Sequence, residues 1–143
     1  MSLITRVGTL PYVSPLDRFT FTYSAIPAEE PSVGDVVVLK PDGTVKKSDA
    51  DFSLAGVGVV VSKRTSTRTC VVAMQGVVYV TAAAAVSAGA VVGTSTNGRV
   101  KAIPAAGGTY AASDTENAKA RIGKALTSAA AADDKLYVML SVV

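Results

Sequence analysis

The chain has 143 residues, 49% of them hydrophobic but only 6% aromatic and none of them Trp, with a formal net charge of +3. A chain of this length supports one domain, or two small halves sharing a core, without a metal or disulfide staple. The lack of His excludes imidazole chemistry, the lone Cys70 excludes an internal disulfide, and +3 falls short of a nucleic-acid binder's basic balance.

Residues 1–18, MSLITRVGTLPYVSPLDR, hold no sustained period, and Pro11 and Pro15 block helix propagation. Two readings stand: an irregular edge segment tucked onto the domain, or an extended N-terminal arm that orders on a partner. Leu3, Ile4, Val7, Leu10, Tyr12 and Val13, with Arg6 among them, are too apolar for an idle tail and are candidate contact residues. Residues 19–143 form a single β domain. It opens with 19–26, FTFTYSAI, whose strict alternation predicts a strand with Phe19, Phe21, Tyr23 and Ala25 on one face. Pro27 and Pro31 then bracket a break.

Residues 32–47, SVGDVVVLKPDGTVKK, read as a strand, a tight turn and a return strand, and the pattern recurs at 87–102, SAGAVVGTSTNGRVKA. Ser32/Ser87, Gly34/Gly89, Val36/Val91, Val37/Val92, Gly43/Gly98, Val45/Val100 and Lys46/Lys101 are identical at a spacing of 55. Asp42-Gly43 and Asn97-Gly98 predict type I′ turns, which need positive φ at both central residues and so favour Gly. The repeat continues at a spacing of 65, with 57–61 answering 122–126, and the run 70–74 answers 136–140. Repeat units therefore span about 32–80 and 87–143.

Between the copies, 55–62 predicts a Val-rich strand in which Gly56 and Gly58 mark a bulge or a close backbone approach. The stretch 63–69, KRTSTRT, predicts an exposed loop in which Lys63, Arg64 and Arg68 are placed to meet phosphate or an acidic protein surface. Residues 70–80 supply one or two more strands, 81–90 a loop, and 104–115 the longest irregular stretch. At 116–126 Ala and Lys favour helix, but the repeat places 122–126 in a strand, and 136–143 closes the domain as another. The span 69–98 carries no charge, yet its strand-length apolar pieces are bounded by turns, which argues against a membrane helix. No signal-peptide pattern is visible at the N-terminus.

Catalytic side chains are scarce. The acidic pairs Glu29-Glu30, Asp49/Asp51 and Asp133-Asp134 all fall in predicted turns, where solvated charge is the expectation. Cys70 lies in an apolar run without an activating base. No nucleotide or phosphate loop and no nucleophile elbow is present. The reading is of a protein that is not an enzyme and takes no cofactor or metal.

The run 80–92, VTAAAAVSAGAVV, followed by Asn97-Gly98-Arg99-Val100-Lys101-Ala102, resembles the capsid cement (decoration) proteins of tailed bacteriophages. The later 120–126, ARIGKAL, and 136–140, LYVML, are similar to the closing pattern of that family, as are Gly34-Asp35-Val36-Val37 and Gly56-Val57-Gly58-Val59. The resemblance covers about residues 32–143. It implies a small, mainly β domain of barrel or β-tulip type. It implies a homotrimer bound to the major capsid protein on the outer surface of the virion head, made in the host bacterial cytoplasm, with an N-terminal arm touching the coat. Nucleic acid and membrane are not implied as partners. A tail or head–tail joining protein, or a β-structured adhesion or carbohydrate-binding module, is the alternative. Residues 104–115 and the strand at 19–26 depart from the family pattern.

Overall fold

The computed structural model describes residues 17–104 and 119–141, which form a mainly β domain. Among them nine strands follow in order: β1 (Asp17–Thr22), β2 (Val36–Leu39), β3 (Val45–Lys47), β4 (Gly56–Arg64), β5 (Thr69–Thr81), β6 (Val91–Thr94), β7 (Val100–Ala102), β8 (Arg121–Ala125) and β9 (Lys135–Ser141). Their antiparallel order is β3-β2-β4-β5-β9-β8-β6-β7, with β1 added to β5. The order is a palindrome about the β5–β9 pair, and that symmetry is the internal repeat.

The registers repeat residue by residue. Val36↔Val59 and Val37↔Gly58 recur as Val91↔Lys124 and Val92↔Gly123, each followed by a bulge. Val37↔Lys47, Val38↔Lys46 and Leu39↔Val45 recur as Val92↔Ala102, Gly93↔Lys101 and Thr94↔Val100. Val59↔Ala73 and Val60↔Val72 recur as Lys124↔Met139 and Ala125↔Val138. The repeat also reaches further back than the sequence motif. Phe19↔Val72, Phe21↔Cys70 and Thr22↔Thr69 recur as Val78↔Val138, Val80↔Leu136 and Thr81↔Lys135. Strand β5 is therefore two strands joined end to end. Its first half closes the first unit and its second half opens the second, and both Asp17 and Ser141 pair with Gln75 at the joint.

Each unit curls into a small barrel-like sheet. A parallel bridge, Tyr23↔Val45 in one and Ala82↔Val100 in the other, links the opening strand to the far edge. Val dominates because its β-branched side chain packs on a pleated surface. The first core gathers Tyr23, Val37, Val45, Val57, Val60, Cys70 and Val72. The second gathers Val78, Val80, Ala82, Val92, Val100, Ile122, Ala125, Leu136, Val138 and Leu140, and it also takes in Val36, Val59 and Ala73 from the first unit. One unit thus donates apolar side chains to the core of the other.

Several sequence expectations shift. The alternating run at 19–26 is strand only to Thr22, because after the Tyr23 bridge the chain turns into a short 3-10 segment, Pro27–Glu29. Strand β4 runs on to Arg64, so the predicted loop 63–69 shrinks to a four-residue tip. Both turn glycines have positive φ, Gly43 at 87° and Gly98 at 68°. Only the second turn is of type I′, with Asn97 also positive at 58°. Pro41 explains the difference. Its ring holds φ negative and sets an ordinary turn, closed by Gly43 N–H donating to Lys40 C=O at 3.0 Å. The strand reading of 122–126 over helix is met by β8.

Gly58 and Gly123 occupy one structural position in the two units. A Cβ at Gly58 would collide with the Ala73 carbonyl, and a Cβ at Gly123 with the Met139 carbonyl. The neighbouring strand passes too close for any side chain, which is the approach that the Gly-rich strand predicted.

Candidate functional site

The two units bury equivalent side chains but present different outer faces. On the second unit, Tyr79 lies opposite Tyr137 across the β5–β9 pair, and Val77 lies opposite Met139. Leu126 N–H donates to the Tyr137 carbonyl at 2.8 Å, which puts Leu126 in the same row. Tyr79, Tyr137, Met139 and Leu126 are 52%, 49%, 48% and 42% exposed. The two Tyr rings pack at 4.8 Å between centroids with a 43° tilt. Lys124, paired in register with Met139, and Lys135, paired with Thr81, border the strip. Contiguous large apolar side chains on a central sheet face, rimmed by charge, mark a protein-contact surface.

On the first unit the corresponding rows of β1, β5 and β4 are more polar, and its exposed apolar side chains, Phe19, Leu39 and Leu54 among them, lie outside those rows. Thr20 and Ser62 flank Val71, while Thr22 and Arg64 flank Thr69. Thr20, Ser62, Lys63, Arg64, Thr69, Cys70 and Val71 line a groove of about 390 Å³. The basic residues of this hairpin divide in two. Lys63 is held internally, its Nζ 2.7 Å from Glu30 Oε2 and 5.2 Å above the Tyr23 ring, so it covers the mouth of the first core. Arg64 and Arg68 are exposed and have no carboxylate partner among the described residues. Arg68 sits at φ 50° at the tip, with its N–H bonded to Thr65 C=O at 3.3 Å. Burial pushes the Cys70 thiol up, which disfavours its thiolate.

A polar seam joins the units. Ser48 Oγ donates to Ser95 C=O at 2.6 Å, and Gly98 N–H donates to Ser48 C=O at 3.0 Å. Phe52 N–H bonds Thr94 C=O at 2.9 Å, and Ser53 N–H bonds Thr94 Oγ1 at 2.8 Å. Asp51 accepts from Ser95 Oγ at 2.6 Å and from Lys101 Nζ at 2.9 Å, and these donors hold its carboxyl below the usual range. Asp35 lies against Gly98, where any Cβ would strike its carboxyl group. Burial pushes the Asp35 carboxyl up, against the Ser32 N–H bond of 2.8 Å. Glu29, predicted as solvated turn charge, instead binds Lys40 Nζ at 2.8 Å and Ser24 Oγ at 2.6 Å. Those two bonds hold its carboxyl low.

The structure keeps Arg64 and Arg68 near one groove, diverts Lys63 into a structural contact, and makes Gly43 and Gly98 turn residues. Leu3, Ile4, Arg6, Val7, Leu10, Tyr12 and Val13 lie outside the described residues, as does most of 104–115. Sequence reading missed the Tyr79–Tyr137–Met139–Leu126 strip. Its signal was present as alternation in 136–140, LYVML, but which parity faces outward depends on the curl of the sheet. Among the described residues no helix is long and apolar enough to cross a membrane, and no cluster of three or more His, Cys, Asp or Glu is placed to hold a metal. No family model and no curated protein matches the chain.

Proposed function

We propose that the chain is a capsid decoration protein, binding the outer surface of an assembled phage head as a homotrimer and stabilising it through contacts with the major capsid protein. The observation that carries this reading is the exposed strip of Tyr79, Tyr137, Met139 and Leu126 on the second unit. A row of exposed apolar side chains across neighbouring strands suits a protein surface better than a small substrate. The resemblance of the motifs within residues 32–143 to capsid cement proteins is the other ground for this reading. A protein that binds only the assembled lattice shifts the equilibrium toward it, and repetition over the lattice multiplies weak contacts. In this reading the arm, expected over residues 1–18 but shortened at its end because Asp17 and Arg18 already belong to β1, lies along the coat or a neighbouring subunit, with Leu3, Ile4 and Val7 in pockets.

The exposed Tyr pair also meets one requirement of a carbohydrate-binding module, but a 43° tilt between the rings makes a poor flat platform for a sugar.

The test is binding of purified protein to emptied, expanded heads of the phage that encodes it, with copy number counted per coat subunit. Saturable binding at three-fold positions is expected. Removal of residues 2–16 should weaken it at least tenfold, about 1.4 kcal/mol, while folding is retained. Rings of other symmetry at a tail joint, or no binding, would overturn the reading.

A further inference from the structure

The first unit carries a cationic groove to which nothing so far assigns a ligand. Its floor is the outer face of three strands: Thr20 of β1, Thr69 and Val71 of β5, and Ser62 and Arg64 of β4. The in-register row Thr22–Thr69–Arg64 places two hydroxyls beside one guanidinium. Arg18, opposite Ala73 on the same face of β1, adds a second cation, and Arg68 at the hairpin tip adds a third. None of the three has an ion-pair partner among the described residues. Glu30, the acid beside the β4–β5 hairpin, is occupied by Lys63.

Other cations on the chain are held by carboxylates. Lys40 and Lys46 meet Glu29, Arg99 meets Asp133, and Lys101 meets Asp51. What sets this place apart is the company of its cations: Arg64 lines a groove whose rim carries the hydroxyls of Thr20, Ser62 and Thr69, with Arg68 at the hairpin tip beside it. The tip geometry is also held in place. Arg68 adopts a left-handed conformation that a long side chain takes at a cost, while its carbonyl accepts from Tyr23 N–H at 3.0 Å.

We propose that this groove binds an acidic protein segment, with Arg64 and Arg68 clamping carboxylates and Thr20, Thr22, Ser62 and Thr69 supplying hydrogen bonds. Guanidinium forks match carboxylates in bidentate geometry, and flanking hydroxyls accept and donate along a backbone. No aromatic ring lines the groove to stack a base, which favours a peptide over a single-stranded nucleic acid. If the decoration reading holds, the groove names the chemistry of one coat contact. The two stand on separate measurements.

The experiment uses the full-length ¹⁵N-labelled chain titrated with a hexapeptide of alternating Asp and Glu, and in parallel with oligo-dT and with inorganic phosphate. The peptide should shift amides of 62–69 and 20–22 and leave those of β8 and β9 unmoved. Raising ionic strength from about 0.01 M to about 0.15 M should weaken binding about tenfold, as screening of exposed charges requires. Arg64→Gln should weaken the peptide at least fivefold, and Arg64→Glu with Arg68→Glu should abolish binding with the spectrum still dispersed. Lys124→Glu on the second unit should leave it unchanged. Shifts scattered over both units, or oligo-dT or phosphate binding the same residues more tightly than the peptide, would overturn the proposal. A peptide that fails on a protein that still decorates heads overturns this inference alone. One that binds while heads stay bare overturns only the decoration reading.

Discussion

The two units share a fold and a register but not a surface, and their difference separates what a β-unit needs from what was left free to vary. Equivalent inward positions stay apolar: Val37 and Val92, Val45 and Val100, Val57 and Ile122, Val72 and Val138 are all buried. Equivalent outward positions diverge. Thr20 answers Tyr79, Val71 answers Tyr137 and Ala73 answers Met139. The reason is spatial. Ala73 is wholly buried in the core shared with the second unit, whereas Met139, at the same place in its own unit, is open to solvent. A second copy that packs on the first leaves one face of each kind uncovered.

The sharpest way to break this comparison is at the paired glycines. Gly58→Ala and Gly123→Ala should each cost on the order of 3 kcal/mol, since a carbonyl of the next strand occupies the space for Cβ. Urea denaturation checks both. Near-equal losses would sharpen the symmetry, and a tolerated alanine at either site would contradict it.

A core pair comes next. Leu140→Ala should cost about 3 kcal/mol through cavity formation, because Leu140 is fully buried. Met74→Ala, at the equivalent place in the first unit, should cost about 1 kcal/mol, because Met74 is only partly buried beside the open groove of Leu39, Leu54 and Val57. Equal losses would mean that the first core is closed as tightly as the second.

The seam should give a smaller effect with a definite pH sign. Asp51→Asn removes the partner of Ser95 and Lys101 and should cost about 1 kcal/mol at neutral pH, since the pair is half exposed and screened. A depressed folded-state pKa means that this contribution is present above the ordinary carboxyl value of 3.8 and lost as pH falls through the folded value. Glu29 acts in the same direction below 4.5, through Lys40 and Ser24. Asp35 acts in the opposite direction: burial raises its pKa, so its ionised form opposes folding above that value and protonation relieves it. Thermal melts from pH 3 to 7 should show a shallower acid limb for Asp51→Asn and a steeper one for Asp35→Asn. Reversed slopes would refute the assignment.

The smallest effect on stability should come from the surface strip. Tyr137→Lys should change folding by no more than about 0.5 kcal/mol, as at other exposed positions. The same change should abolish attachment to heads or self-association, read by light scattering and by head binding. A large loss of stability would place Tyr137 in the core of the monomer.

The sequence by itself determined the repeat, because hairpins are written locally. A two-residue period sets which side chains share a face, and a glycine or proline at a fixed offset sets the turn. That logic reached β2, β3, β6, β7 and even β8, where the repeat overrode helix propensity in the run 116–126 by naming its partner strands. It failed at Asp42, where Pro41 two positions from Gly43 outweighed the shared glycine. It also could not see that β1 opens the first unit as the second half of β5 opens the second, since 19–22 and 78–81 share almost no residues. Only their common partners, the first half of β5 and β9, reveal it. Tertiary structure alone decided which outward row is covered. Alternation fixes two faces but not which one meets a neighbour, and that choice depends on how far each sheet curls and where the second unit comes to rest. The same choice buried Ala73, exposed Met139 and turned Lys63 from a predicted contact into the cover of the first core.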